Sequence, residues 1–207
     1  PTTVQGVGLA ITSSPKAMEE PIPTSADLIG LQGSAPELAQ TLAGAGFEDI
    51  SIGLGSDGMV ITLENQSYNW NQLDALGVAM GLTAQHWSEP NPMVNIQIRR
   101  QGVPVLLARG LAQCMQRWLE MSWRGCGQPA GVELRAAPTA SHMASDVQWW
   151  IQNHRSSSGH TRLIMSPDIS ARHATEYGTY DSSWGASFNA QTPLWKGAFT
   201  DFAYVQA

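Results

Sequence analysis

The clearest alternation of apolar and polar positions in the chain runs over residues 183–194. Trp184, Ala186, Phe188, Ala190, Thr192 and Leu194 share one parity; Ser183, Gly185, Ser187, Asn189, Gln191 and Pro193 share the other. Successive side chains of an extended chain point to opposite faces, so a period of two predicts a β-strand with one apolar face and one small, polar face. Trp184 and Trp195 bracket it. About ten residues with this alternation and aromatic ends is the pattern of one transmembrane β-barrel strand. It is also the pattern of a half-buried strand in a soluble antiparallel sheet with one wet face. The segment alone leaves both readings open.

Helical periodicity is absent from 157–207. Four strands are predicted there, at 160–165, 169–177, 183–195 and 198–206, separated by Ser166-Pro167-Asp168, by Gly178-Thr179-Tyr180-Asp181 and by Lys196-Gly197. Four amphipathic strands cannot close a barrel, for which about eight are needed. Either several copies pair, or the chain is the front of a longer polypeptide.

Residues 34–153 read differently. Ser34-Ala35-Pro36-Glu37 is a capping-box sequence, and the helix it opens places Leu38, Leu42 and Ala45 on one face before Gly44-Ala45-Gly46. Strands at 47–54 and 59–64 follow, joined as a hairpin through Gly55-Ser56-Asp57-Gly58. Leu73, Leu76, Val78 and Met80 mark a second helix with Asn69 or Asn71 as its cap, and segments 93–98 and 103–107 form a hairpin across Gln101-Gly102. Leu111, Cys114, Met115, Trp118 and Leu119 recur at helical spacing, and a last strand is predicted at 131–136. This order predicts an α+β fold: a small α/β module with helices on one face of a mainly antiparallel sheet, followed by antiparallel β-strands. Residues 1–33, rich in Pro, Ser and Thr and interrupted by Pro15, Pro21 and Pro23, read as an extended linker with room for one short strand at 7–12.

Composition narrows the class. Charged residues make up 14% of the chain, well below the usual quarter, and the polarity comes from Ser, Thr, Asn and Gln, as in exported β-rich proteins. A net charge of −6 without a basic patch argues against a nucleic-acid partner. No apolar run reaches the length of a membrane-spanning helix, and the start at Pro1 without a leader reads as processing or truncation. Cys114 and Cys126 fit no zinc or redox spacing; they either close a disulfide loop or stand as two buried thiols.

Motifs that carry chemistry are missing. There is no nucleophile elbow, phosphate loop, zinc-protease helix or C-x-x-C, so no catalytic residue, metal site or cofactor is predicted. The Gly53-to-Gly58 run joins two strands and reads as a hairpin turn. His86, His142, His154, His160 and His173 are scattered, and the adjacent carboxylates Glu19-Glu20 and Glu48-Asp49 diverge on extended chain. The eight tryptophans can stack on sugar rings. Trp70 and Trp118 read as core, and Trp184 and Trp195 as interface anchors. Trp149-Trp150 must expose one indole on a strand, and Trp87 lies near Pro90 and Pro92, so Trp87, Trp149 and Trp150 are the candidate glycan contacts.

Four segments carry a family resemblance: GAGFEDISIG at 44–53, TLENQSYNWNQLDALG from Thr62, RRQGVPVL from Arg99, and above all TEYGTYDSSWGASFNAQTPLWKGA from Thr175. Together they resemble the YjbH family, Gram-negative outer-membrane proteins encoded with exopolysaccharide or capsule export genes. The similarity covers roughly residues 36–207 and is thinnest over 120–155. It implies a non-enzymatic protein of biofilm or capsule polysaccharide secretion, with periplasmic α/β modules and outer-membrane barrel segments, whose partners are the exopolysaccharide, other secretion proteins and the outer membrane. Members run to several hundred residues and are typically lipoproteins, and no cysteine stands near Pro1 to carry a lipid. On this expectation Ser183, Ser187, Asn189 and Gln191 face a lumen, while Trp184, Phe188 and Leu194 face lipid. The competing expectation is a soluble periplasmic carbohydrate-binding module that stacks glycan on its exposed tryptophans.

Overall fold

A computed structural model describes residues 24–68, 71–121, 126, 131–136, 146–175, 178–195 and 198–206. The elements run α1 (Ser25–Gly44), β1 (Phe47–Gly55), β2 (Gly58–Asn65), α2 (Gln72–Trp87), β3 (Met93–Arg100), β4 (Val103–Leu111), α3 (Ala112–Leu119), β5 (Val132–Ala136), β6 (Gln148–His154), β7 (Arg162–Thr175), β8 (Gly178–Trp195) and β9 (Ala198–Gln206). They form two sheets, one ordered β5-β4-β3-β2-β1-β6 and the other β7-β8-β9. All described pairings are antiparallel except β2 with β3, which are linked through α2 and run parallel. The fold is therefore α+β. The described strands of the second sheet form an open meander, and no closed barrel is present among the described residues.

The helices cover one face of the larger sheet. Met59, Ile61 and Leu63 of β2 stand opposite Val94, Ile96 and Ile98 of β3, and all six belong to one core with Leu31, Leu38 and Leu42 of α1 and Leu76 and Met80 of α2. Removing this much branched aliphatic surface from water is the main force holding the module together. The other parity of these strands carries Thr62, Glu64, Asn95 and Gln97, which are buried as well, as is Ser51 of β1. Asn71 caps α2 by accepting from Leu73 N and Asp74 N. The Gln101-Gly102 turn has both residues at positive φ, 53° and 75°, the geometry that lets a two-residue hairpin follow the strand twist. At Gly53 the chain passes so close to β6 that a Cβ would lie 2.5 Å from the Gln148 carbonyl oxygen.

Three expectations about element boundaries are corrected. Residues 24–33 are not linker. The helix α1 begins at Ser25, well before Ser34, because Thr24 and Asp27 form the real capping box. Thr24 Oγ1 accepts from Asp27 N at 3.3 Å, and the Asp27 carboxylate accepts from Thr24 N at 2.8 Å. Ser34 lies inside the helix, donating to the Leu31 carbonyl. The helix continues through Pro36 because Leu31, Ala35, Leu38 and Leu42 form a continuous buried stripe, whose packing outweighs the lost backbone bond. The rest of the expected linker, including the short strand at 7–12, lies outside the described residues, as do Glu19-Glu20, Asn69, Trp70 and His142.

The second correction concerns Ser166-Pro167-Asp168, which is not a turn. The two strands expected on either side of it are the single strand β7, paired with β8 from Arg162↔Gln191 to Thr175↔Gly178. Among the described strands β7 is at the edge of its sheet, where proline's missing N–H removes no ladder bond if it faces away from β8. The third concerns Gly178-Thr179-Tyr180-Asp181, expected as a separator: β8 already begins at Gly178, and Tyr180 and Asp181 are paired with His173 and Arg172.

Candidate functional site

The pairing of β7, β8 and β9 sorts their side chains into two faces. Ile169 stands opposite Trp184, Met165 opposite Phe188, and Phe188 in turn opposite Tyr204; Leu163 and Phe202 flank Ala190. These large apolar residues lie on one face and in the open: Trp184 is 86% exposed, Leu163 85% and Ile169 76%. Phe188, Met165, Phe202 and Tyr204 are exposed there too, and Leu194, also exposed, falls at a register irregularity between β8 and β9. The reverse face carries Ser183, Ser187, Asn189 and Gln191 on β8, with Arg162 and Asp201 on either side of Gln191. Gln191 Nε2 donates to Asp201 at 3.4 Å and Ser187 Oγ donates to the Ser166 carbonyl at 3.3 Å. Ile164, Ala203 and Val205 hold register positions in the same rows. Ser183, Ser187, Asn189 and Gln191, expected to face a lumen, are thus separated from Trp184 and Phe188, expected to face lipid, onto opposite faces.

The glycan-contact candidates do not share one place. Trp87 is the last residue of α2 and only 1% exposed, and its indole Nε1 donates to Ser34 Oγ at 3.0 Å. It cannot stack on a sugar, which corrects the expectation that a proline-flanked loop holds it outward: Pro90 and Pro92 act only after the helix has turned Trp87 into the core. Trp149 and Trp150 are half-buried on β6. Trp150 packs against the core, and Trp149 stands opposite Gly53, on the face away from the helices. Cys114 of α3 and Cys126 are joined by a disulfide.

At the junction between the two sheets lies a polar cluster that no sequence spacing announces. Asp49, at φ 49° in an irregular part of β1, accepts from Ser157 N at 3.0 Å and from Ser157 Oγ. Ser157 Oγ also lies 3.4 Å from Glu64, whose carboxylate accepts from the Gly102 amide of the β3–β4 turn. Arg162, the first residue of β7, pairs with Glu48 at 3.0 Å. Asp49 and Ser157 are 108 positions apart in sequence. No local motif encodes such a pair, and the left-handed conformation of Asp49 becomes visible only once β1 is placed.

Burial raises the Glu64 carboxyl above its ordinary range, and neighbouring Asp49 adds to this, while the Gly102 amide, Arg162 and Ser157 oppose it. Burial likewise lowers Arg99, with Glu64 and Asp49 acting against it. Ser157 has one hydroxyl proton, so it donates to one carboxylate at a time; a protonated Glu64 can donate back to it. Between the ordinary carboxylate range and the raised value, folded Glu64 holds more proton than unfolded Glu64, so its contribution to stability falls as pH rises through that window. Thermal unfolding of Glu64→Gln should show a flatter dependence on pH just above the carboxylate range than the parent chain; equal slopes would mean Glu64 does not titrate there.

Against the module's Glu48, Arg100 and Gln101, the start of β7 leaves a cleft of about 440 Å³, into which Gln191 also reaches. Among the described residues, no group of three or more His, Cys, Asp or Glu is placed to hold a metal ion, and no helix is long and apolar enough to cross a membrane. No family model, curated protein or solved structure matches the chain.

Proposed function

We propose that this chain is a non-enzymatic component of an exopolysaccharide secretion system at the outer membrane of a Gram-negative bacterium, as its resemblance to the YjbH family implies. The α/β module docks on a periplasmic partner, and the β7-β8-β9 sheet contributes part of a polar-lined conduit. The observation that carries this reading is the two-faced sheet. Apolar patches of this kind are rare on soluble monomers and mark surfaces that meet lipid or another protein. From Trp184 to Leu194 the strand rises about 33 Å, and at a tilt of about 40° this spans about 25 Å, the height of a barrel's apolar band. The hydroxyls and amides of the other face suit a passing hydrated glycan.

The three described strands of this sheet do not close a barrel, so the reading requires further strands, from other copies or from a longer chain. It is tested by flotation with vesicles of outer-membrane phospholipids: refolded chain should rise with the vesicles and resist extraction by urea. Recovery only in the soluble fraction would contradict it. A second reading, a soluble carbohydrate-binding module, is favoured by one observation, the half-buried Trp149 on the helix-free face. It needs no lipid, so the same flotation separates the two.

A further inference from the structure

The cleft beside β7 has a composition that a structural seam does not need. Five primary amides line it: Asn65 at the end of β2, Gln66, Gln72 at the start of α2, Gln101 of the β3–β4 turn, and Gln191 of β8. All five are half-buried. Asn65 Nδ2 donates to Gln72 Oε1 at 3.4 Å and Gln66 Nε2 donates to Glu64 at 3.4 Å, which orients three of them. Glu48 and Arg162, paired at 3.0 Å, supply a carboxylate and a guanidinium, with Arg100 beside them. Leu163 and Met165 stand at its rim, where the edge strand β7 turns its apolar face outward.

From this lining we infer that the cleft is a saccharide subsite, taking a short hydroxyl-rich segment of polysaccharide. A sugar hydroxyl is donor and acceptor at once, and so is a primary amide; a wall of amides accepts many orientations of hydroxyl without a fixed pattern. Arg and Glu side chains can each bridge two neighbouring hydroxyls. The volume lies within the usual range for small-ligand sites, about 300–1,000 Å³. Among the described residues no aromatic ring lines the cleft, so the binding rests on solvent-competing hydrogen bonds and is weak and reversible, as a translocating chain requires. Gln191 belongs both to this cleft and to the polar face of β8, which makes the cleft the entry to the row Gln191, Asn189, Ser187. The inference rests on the secretion reading for its ligand class, yet it can fail separately from it.

The experiment is a titration of the full chain, isotopically labelled and held in micelles, with two probes: a β-1,4-linked glucose tetrasaccharide and a galacturonate tetrasaccharide, each to about 10 mM. Amide resonances of Gln66, Gln101 and Gln191 should move saturably with at least one probe, with a Kd on the order of millimolar. Gln101→Ala combined with Gln191→Ala should weaken binding about tenfold, as the loss of one or two hydrogen bonds implies, while Gln148→Ala, exposed and away from the cleft, should not. No movement with either probe, or binding unchanged in the double variant, overturns the inference. Flotation of the same chain, freed of detergent and mixed with vesicles, keeps the two ideas apart: sugar binding without vesicle association removes the membrane reading and leaves the subsite, and the reverse removes the subsite.

Discussion

Phe188→Arg should reduce incorporation into vesicles by about 30- to 900-fold, whereas Asn189→Arg, one residue away, should change it by no more than a few-fold. Both substitutions add the same charge to the same strand. They differ only in face, because Phe188 stands with Met165 and Tyr204 on the apolar side and Asn189 stands beside Gln191 on the polar side. A cation near the bilayer midplane costs about 2–4 kcal/mol, and Phe188 lies close to the middle of the 184–194 alternation. A cation on the lumen side keeps its water and costs little. Vesicle flotation at a series of lipid concentrations gives the two partition constants. If both variants lose incorporation equally, the charge acts through folding and the assignment of faces to lipid and lumen falls.

Trp87→Ala should destabilise the module by about 3–5 kcal/mol, against a total stability of about 5–15 kcal/mol for a domain. The indole fills the contact between the end of α2 and α1, and its N–H satisfies Ser34 Oγ. Trp87→Phe restores most of the volume but not the hydrogen bond, and should cost less. Urea denaturation followed by far-ultraviolet circular dichroism reads both. An unchanged midpoint for Trp87→Ala would mean that the side chain is not part of the core and would return it to the surface as a sugar-stacking candidate.

What could be read from the sequence was what short-range chemistry encodes. Asn71 as a cap, Gln101-Gly102 as a two-residue turn and the stripe through Cys114, Met115 and Trp118 are all set within a few residues, and each lies where the pattern put it. The faces of β8 were equally legible, since alternation needs no partner to be seen. Pro36 and Pro167 misled for the same physical reason. Proline weakens helix and strand locally, but a buried leucine stripe in one case and an edge position in the other remove most of the penalty. Trp87 misled because its neighbours in sequence are prolines while its neighbour in space is Ser34, 53 positions earlier. Asp49, Glu64 and Ser157 were beyond reach altogether, because their meeting depends on the β1 irregularity and on the strand order.

The membrane reading stands or falls on the two faces of β8 meeting lipid and water respectively. They can be read separately by a scan across 183–194 in which a fluorophore is attached at one position at a time and challenged with a quencher carried in the lipid acyl chains. Strong quenching is expected at positions 184, 188 and 194 and little at 183, 187, 189 and 191, a period of two in a single strand. Quenching that is absent throughout, or uniform along the strand, would contradict it.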